Sequence, residues 1–327
     1  MTFFRKAFGA MTPVDIVTLV FTCILAVLTA IFHSRLDTQA IYTNLIIVWV
    51  VVIAANYLRS RSSAKGVRMF HAFYIMPVVV FIFKTVEKLS YNIHGRDFDS
   101  VLITIDRAFF GVDPTVWLAE HFPLSPLGVE FYMLCYFMYY FLFIILTWEL
   151  FLRRRSHSEG GIHDNELETY RFAVVYGFLF SYIGYMSLPS VGPRFTLHEF
   201  SQLPMEMPGL WMTDFFRYLI DSGENIAKTM TSAEAMKYVT RDAFPSGHTM
   251  MAFITMLLAL KYKTRSRWII NFFGVGLIIS TVLLRYHYVI DIIAGIVFAL
   301  VALYTAPYVT KVLLGWNAKL TGNNNTR

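Results

Sequence analysis

A chain of 327 residues that is 56% hydrophobic and only 15% charged, with a mean hydropathy of +0.53, excludes an ordinary soluble domain. Its net charge of +6 would suggest a nucleic-acid partner in a soluble protein, but in a membrane protein basic residues gather in the loops on one side, so no nucleic acid is expected. Cys23 and Cys135 both lie inside apolar runs, which excludes a disulfide framework and a thiolate metal site.

Crossing a bilayer takes about 20 apolar residues. Eight stretches approach that length, at about 14–32, 40–58, 69–90, 127–152, 169–188, 247–262, 267–284 and 288–313. The fold class expected is therefore all-α, a polytopic membrane helix bundle of about eight transmembrane helices. The first stretch is long and has no good small-residue cleavage site after it, so it is expected to be an uncleaved anchor rather than a signal peptide. Residues 91–126 are too polar to span, yet Val101, Leu102, Ile105, Phe109 and Phe110 recur at near-helical spacing, which predicts an interfacial helix. Residues 189–246 form a long connection. The sixth stretch is short and starts at Gly247-His248, placing that motif at a helix mouth, and almost nothing separates the last two. The Asn-rich tail at 323–325 is expected to be disordered.

With the N-terminus inside, the inner segments hold Arg5 and Lys6; Arg59, Arg61, Lys65 and Arg68; Arg153, Arg154, Arg155 and Arg171; Lys261, Lys263, Arg265 and Arg267; and Lys311, Lys319 and Arg327. The short outer loops carry only Arg35 and Arg285. This asymmetry places both termini in the cytoplasm and puts the 189–246 connection and the 285–287 turn together on the extracytoplasmic face.

Ionisable groups in or beside hydrocarbon are expensive, so those present are functional candidates. Three groups fall on that outer face. His287 and Asp291, four apart on a helix, share a side, so the carboxylate can hold one ring nitrogen and leave the other as nucleophile or base. Phe244-Pro245-Ser246-Gly247-His248 opens a helix whose free first-turn amides suit an anion. Gly192-Pro193-Arg194 supplies a permanently charged guanidinium fork for phosphate oxygens. Glu130, at the start of the fourth stretch, is a further candidate for lining a headgroup pocket.

In this order the three blocks resemble the signature of the type 2 phosphatidic acid phosphatase superfamily, which also includes vanadium haloperoxidases and lipid phosphotransferases. Pro-Ser-Gly-His is intact at 245–248, and so is the His-Asp half of the third block. The departures are specific. Ser187 stands at the first-block lysine position, Phe195 follows Arg194 in place of proline, and Thr281, after Ser280, stands at the third-block arginine position. Arg285 and Arg241 are the candidates to replace the missing cations. The Gly-Pro-Arg form of the first block, the His-Tyr-x-Ile-Asp-x-x-Ala-Gly form of the third and the stretch Phe110-Gly111-Val112-Asp113-Pro114 resemble the branch containing fungal inositol phosphorylceramide synthase, whose members move a phosphorylated headgroup between lipids.

The resemblance covers roughly 69–313 and implies a six-helix catalytic membrane domain there, with residues 1–68 as two added helices and 314–327 as a cytoplasmic tail. It implies a lipid phosphatase or lipid phosphotransferase acting on a membrane phospholipid or other lipid phosphate, with a lipid alcohol as an acceptor. His287 would attack phosphorus to form a phosphohistidine, Asp291 would orient it, and His248 would protonate the leaving oxygen. Arg194, Ser246 and the Gly247 amide would hold the phosphoryl oxygens. It implies no cofactor and no metal. The alternative from a different class is a non-enzymatic lipid-binding or transport protein that keeps the fold, which the missing cations permit.

Overall fold

A computed structural model describes residues 2–156, 162–224 and 226–321, and every regular element among them is helical. The first five helices are α1 (Thr2–Gly9), α2 (Pro13–Ile31), α3 (Thr38–Arg61), α4 (Lys65–Phe73) and α5 (Ile75–His94). Local chemistry sets their ends. Pro13 opens α2 with its fixed φ, and the Asp15 carboxylate accepts from the Thr12 N–H (2.7 Å) and hydroxyl (2.8 Å). Asp37 caps α3, and α5 stops at Gly95, whose φ of +69° a side chain would resist.

The polar segment follows as α6 (Asp99–Phe110) and α7 (Pro114–His121), then α8 (Pro126–Phe137), α9 (Tyr139–Ser156) and α10 (Ile162–Ser187). Between α8 and α9 the axis bends by 46°, and together the two are long and apolar enough for one broken span or a re-entrant pair. The 189–246 connection is not a loose loop. It contains α11 (Pro193–Thr196), α12 (Leu203–Glu206), α13 (Thr213–Gly223) and α14 (Ser232–Ala235), folded over an apolar core that includes Phe195, Phe200, Met207, Phe216 and Val239 and that also takes in Val129 and Met133 of α8. We refer to it as the cap. The chain closes with α15 (Gly247–Lys261), α16 (Arg267–Leu283) and α17 (Val289–Thr321).

Each of the eight apolar stretches falls on helix. Among the described residues four helical segments are long and apolar enough to cross a membrane, at 13–31, 38–61, 65–94 and 289–319, and the bent α8–α9 pair makes a fifth if it is one span. α15 and α16 are shorter apolar helices of 15 and 17 residues, so the count of eight spans is not fixed by length alone. Aliphatic and aromatic side chains lie exposed along α3 (Ile46, Val50), α16 (Ile269, Phe272) and α17 (Val297, Leu300, Tyr304). Water would not tolerate so much apolar surface, whereas hydrocarbon does.

The first two spans pack against α5, α10 and α17 in one apolar cluster, through Leu25, Val52, Ile82, Leu179 and Ala306. A second cluster joins α9, α10, α15 and α17 through Leu146, Tyr170, Ile254 and Ala299. The expected 314–327 tail begins as helix, since α17 runs to Thr321; the Asn-rich 323–325 lies outside the described residues.

Candidate active site

The C-terminal end of α10, the cap and the N-terminal ends of α15 and α17 meet at one end of the bundle. Gly192 makes the first junction. Its φ is +95°, and a Cβ there would lie 2.6 Å from the Tyr286 carbonyl oxygen, so only glycine lets this turn pack on the one before α17. Arg194 follows on α11 and is buried. Its guanidinium donates to Asp221 (3.2 Å) and Glu224 (2.6 Å) and lies over the rings of Phe195 and Tyr286.

α6 is the scaffold for this end, which goes beyond the interfacial helix expected from its spacing. The Asp99 carboxylate accepts from the Val191 N–H (3.1 Å), the Gly192 N–H (2.9 Å) and the Tyr288 hydroxyl (2.8 Å). Two turns further along the same side, Asp106 accepts from the first amides of α17, Val289 and Ile290. Both carboxylates are pushed above the usual range by burial.

Ser246 caps α15 by accepting from the Thr249 N–H (3.2 Å), and its own N–H donates to the Asp291 carbonyl (2.9 Å). Gly247 packs on the Tyr185 hydroxyl so closely that a Cβ would lie 2.0 Å from it. Both residues hold the helix start; neither lines the cavity described next. His248 projects from that start between the rings of Tyr136 (centroids 4.7 Å apart) and Tyr139 (4.4 Å), which flank the α8–α9 bend.

His287 sits in the turn before α17. Its Nδ1 is 2.9 Å from the Ala243 carbonyl oxygen and 3.4 Å from the Asp291 carboxylate. A carbonyl only accepts, so Nδ1 carries the proton and Nε2 keeps its lone pair. That Nε2 faces His248 Nδ1 at 3.4 Å. Asp291 is fully buried; one oxygen accepts from the Tyr288 N–H (2.9 Å) and the other has no partner among the described residues. Asp291 thus shares the holding of His287 with a backbone carbonyl. Burial, with the positive Arg194 adding to it, lowers the His287 pKa and keeps the ring neutral.

His287, His248 and Arg194 line one small polar cavity of about 40 Å³, together with Glu224, Asp242 and Tyr286. Two of these are acids that the sequence did not mark. Asp242 faces His287, and burial raises its pKa; burial also pushes Glu224 up to about 7 against the pull of Arg194. The two substitute cations lie elsewhere. Arg285, with a φ of +65°, turns to Glu206 in a separate small pocket. Arg241 binds Asp97 (3.2 Å) and the carbonyls of Val239 and Met236 and lies over Tyr91, tying the cap to α5. Glu130 does not line a headgroup pocket: its carboxylate collects the backbone N–H groups of residues 210–213 and caps α13.

Asp242, Glu224, Tyr136 and Tyr139 come together only through long-range packing, and no local spacing announces them. Asp99 and Asp106 left a signal, since residues seven apart put two carboxylates on one side of an otherwise apolar helix.

The family model described as the PAP2 superfamily matches residues 100–305, well over half of the chain. Neither the curated proteins nor the solved structures contain a match to it.

Proposed function

This chain belongs to the PAP2 superfamily, and from that premise we propose that it is an integral membrane enzyme that hydrolyses or transfers a phosphorylated group on a lipid through a phosphohistidine. The observation that carries this is the His287 lone pair facing His248 across a cavity that also holds Arg194. In the first step His287 Nε2 attacks phosphorus; the P–N bond forms as the P–O bond to the leaving alcohol breaks, and His248 gives that oxygen its proton. In the second, His248 takes a proton from water or a lipid hydroxyl, the new P–O bond forms, and the P–N bond breaks to free His287. The Ala243 carbonyl and Asp291 keep the proton on Nδ1 throughout, and Arg194 draws the phosphoryl oxygens.

The basic residues of the loops support eight spans, cytoplasmic termini and an extracytoplasmic site. The motif forms at Gly192-Pro193-Arg194 and at 287–295 favour the inositol phosphorylceramide synthase-like branch, hence transfer to a lipid alcohol over hydrolysis. Catalysis resides in 69–313, with 1–68 as an addition. One observation favours a non-enzymatic lipid-binding protein: Arg194 is already engaged by two carboxylates.

Purified protein in vesicles of mixed phospholipids, assayed for phosphate release and headgroup exchange, separates the two. We expect His287→Gln to abolish both activities and His248→Gln to lower them by about 10²–10⁴-fold, the usual contribution of a positioned acid–base group. Wild-type and variant vesicles that behave alike would leave only the binding role.

A further inference from the structure

A second cavity of about 280 Å³ lies under the cap, beside the two-histidine pocket, and Arg194 and Tyr286 belong to the walls of both. Its lining is chiefly apolar, with Met133 of α8, Phe200, Leu203 and Met207 of the cap, Ile226 and Leu284. Arg217, Lys228, Asp214 and Asp221 also line it; the Arg217 guanidinium donates to the Met207 carbonyl (2.7 Å), and its other terminal nitrogen, 3.9 Å from the Asp214 carboxylate, is buried with no hydrogen-bond partner among the described residues. The two-histidine cavity is far too small for more than a phosphoryl-sized group, and the apolar space opens where the rest of an ester would continue. At the lower end of ligand-pocket sizes, it has room for part of a chain rather than a whole lipid.

α13 forms one wall, and it is apolar on two sides. Its inner side docks on the bundle, with Phe216 stacked on Phe137 at 4.1 Å. On its outer side Phe215 and Tyr218, three residues apart, are 56% and 68% exposed, and Trp211, in the chain leading into the helix, is 81% exposed. A water-facing helix has no reason to present such a stripe, whereas the aromatic belt of a bilayer surface does. Tyr218 is on that exposed side and also lines the cavity, so the stripe and the cavity meet at one residue.

We propose that this cavity is a subsite for a hydrocarbon segment of a membrane lipid, entering from the leaflet on which α13 lies, with the lipid's phosphorylated end at the histidines. The placement of that end rests on the function proposed above; the hydrocarbon subsite itself does not require turnover.

The probe is a non-hydrolysable long-chain alkyl phosphonate carrying a diazirine along its chain, added to the full-length protein in phospholipid nanodiscs and photolysed. Label is expected within 200–228, and Ala227→Trp, which adds bulk at the cavity wall, is expected to lower that label about tenfold, the scale of a few methylenes denied burial. The same variant should lower kcat/KM on a long-chain lipid phosphate by a similar factor while p-nitrophenyl phosphate cleavage stays within about twofold. If Ala227→Trp does not fold, Leu203→Phe takes its place in both measurements. Label confined to other segments overturns the subsite, and so does an equal loss on both substrates, which a soluble acceptor or a general disturbance would give. A wild type that turns over neither substrate but takes label at 200–228 defeats the enzymatic function and leaves the subsite standing; turnover with label elsewhere does the reverse.

Discussion

Replacing Glu224 by glutamine should strengthen substrate binding and remove a pH-dependent step from it. In the resting protein Arg194, the only arginine among the described residues that line the two-histidine cavity, donates to Asp221 at 3.2 Å and to Glu224 at 2.6 Å. An incoming phosphate must take the place of at least one carboxylate. A hydrogen bond to a charged group contributes about 1.5–3 kcal/mol net, so a charged Glu224 should weaken the apparent affinity for substrate by about ten- to a hundredfold. Burial pushes this carboxyl up to about 7. Its carboxylate therefore competes for Arg194 above pH 7, and protonation below pH 7 removes the competition, so KM should rise as pH increases from 6 to 8.5. Glu224→Gln keeps the shape and loses the charge, and its KM at pH 8 should fall by about that factor and become nearly flat with pH. The assay is KM on one lipid phosphate across this range for both proteins, so that the substrate's own ionisation cancels. A variant whose KM is unchanged or higher at pH 8, or whose pH profile parallels the wild type, would refute the competition.

The same group makes a stability prediction: its folded pKa lies above the ordinary 4.5, so its contribution is fully present below about pH 4.5 and is lost as pH rises through about 7, and thermal midpoints should decline over that window less steeply in Glu224→Gln. Gly192→Ala sets a side chain at φ +95° with its Cβ 2.6 Å from the Tyr286 carbonyl, which should cost about 1–3 kcal/mol and lower the thermal midpoint together with activity, because Arg194 shifts with the turn. Asp99→Ala strips an acceptor from two buried amides and the Tyr288 hydroxyl; at about 1–3 kcal/mol per unsatisfied group it should be the most destabilising of these changes by thermal denaturation in detergent. Tyr136→Phe keeps the ring that packs on His248 and should retain activity, whereas Tyr136→Ala loses a contact of about 0.5–1.5 kcal/mol and should lower kcat; equal activities would show that the ring does not position His248.

Helix content, the apolar stretches and the nearness of His287 to Asp291 were legible in the chain because each rests on local rules. Twenty-residue apolar runs must become helices in hydrocarbon, where no water can satisfy their backbone. Four-residue spacing puts His287 beside Asp291, and Ser246 with Gly247 marks a helix start before any packing is known. What tertiary structure alone decided is which groups surround those histidines. The 189–246 connection has weak local signals, yet Phe195, Phe200 and Phe216 pack it on α8, and that core carries Glu224 and Asp242 to the cavity and Asp221 to Arg194. Arg285 and Arg241 lie close in sequence to the histidines but do not line their cavity, since a left-handed residue turns one toward Glu206 and Asp97 draws the other. Spacing along a helix fixes direction within a turn or two; the partners of a buried charge are chosen by whichever distant segments pack over it, and no linear pattern records that choice.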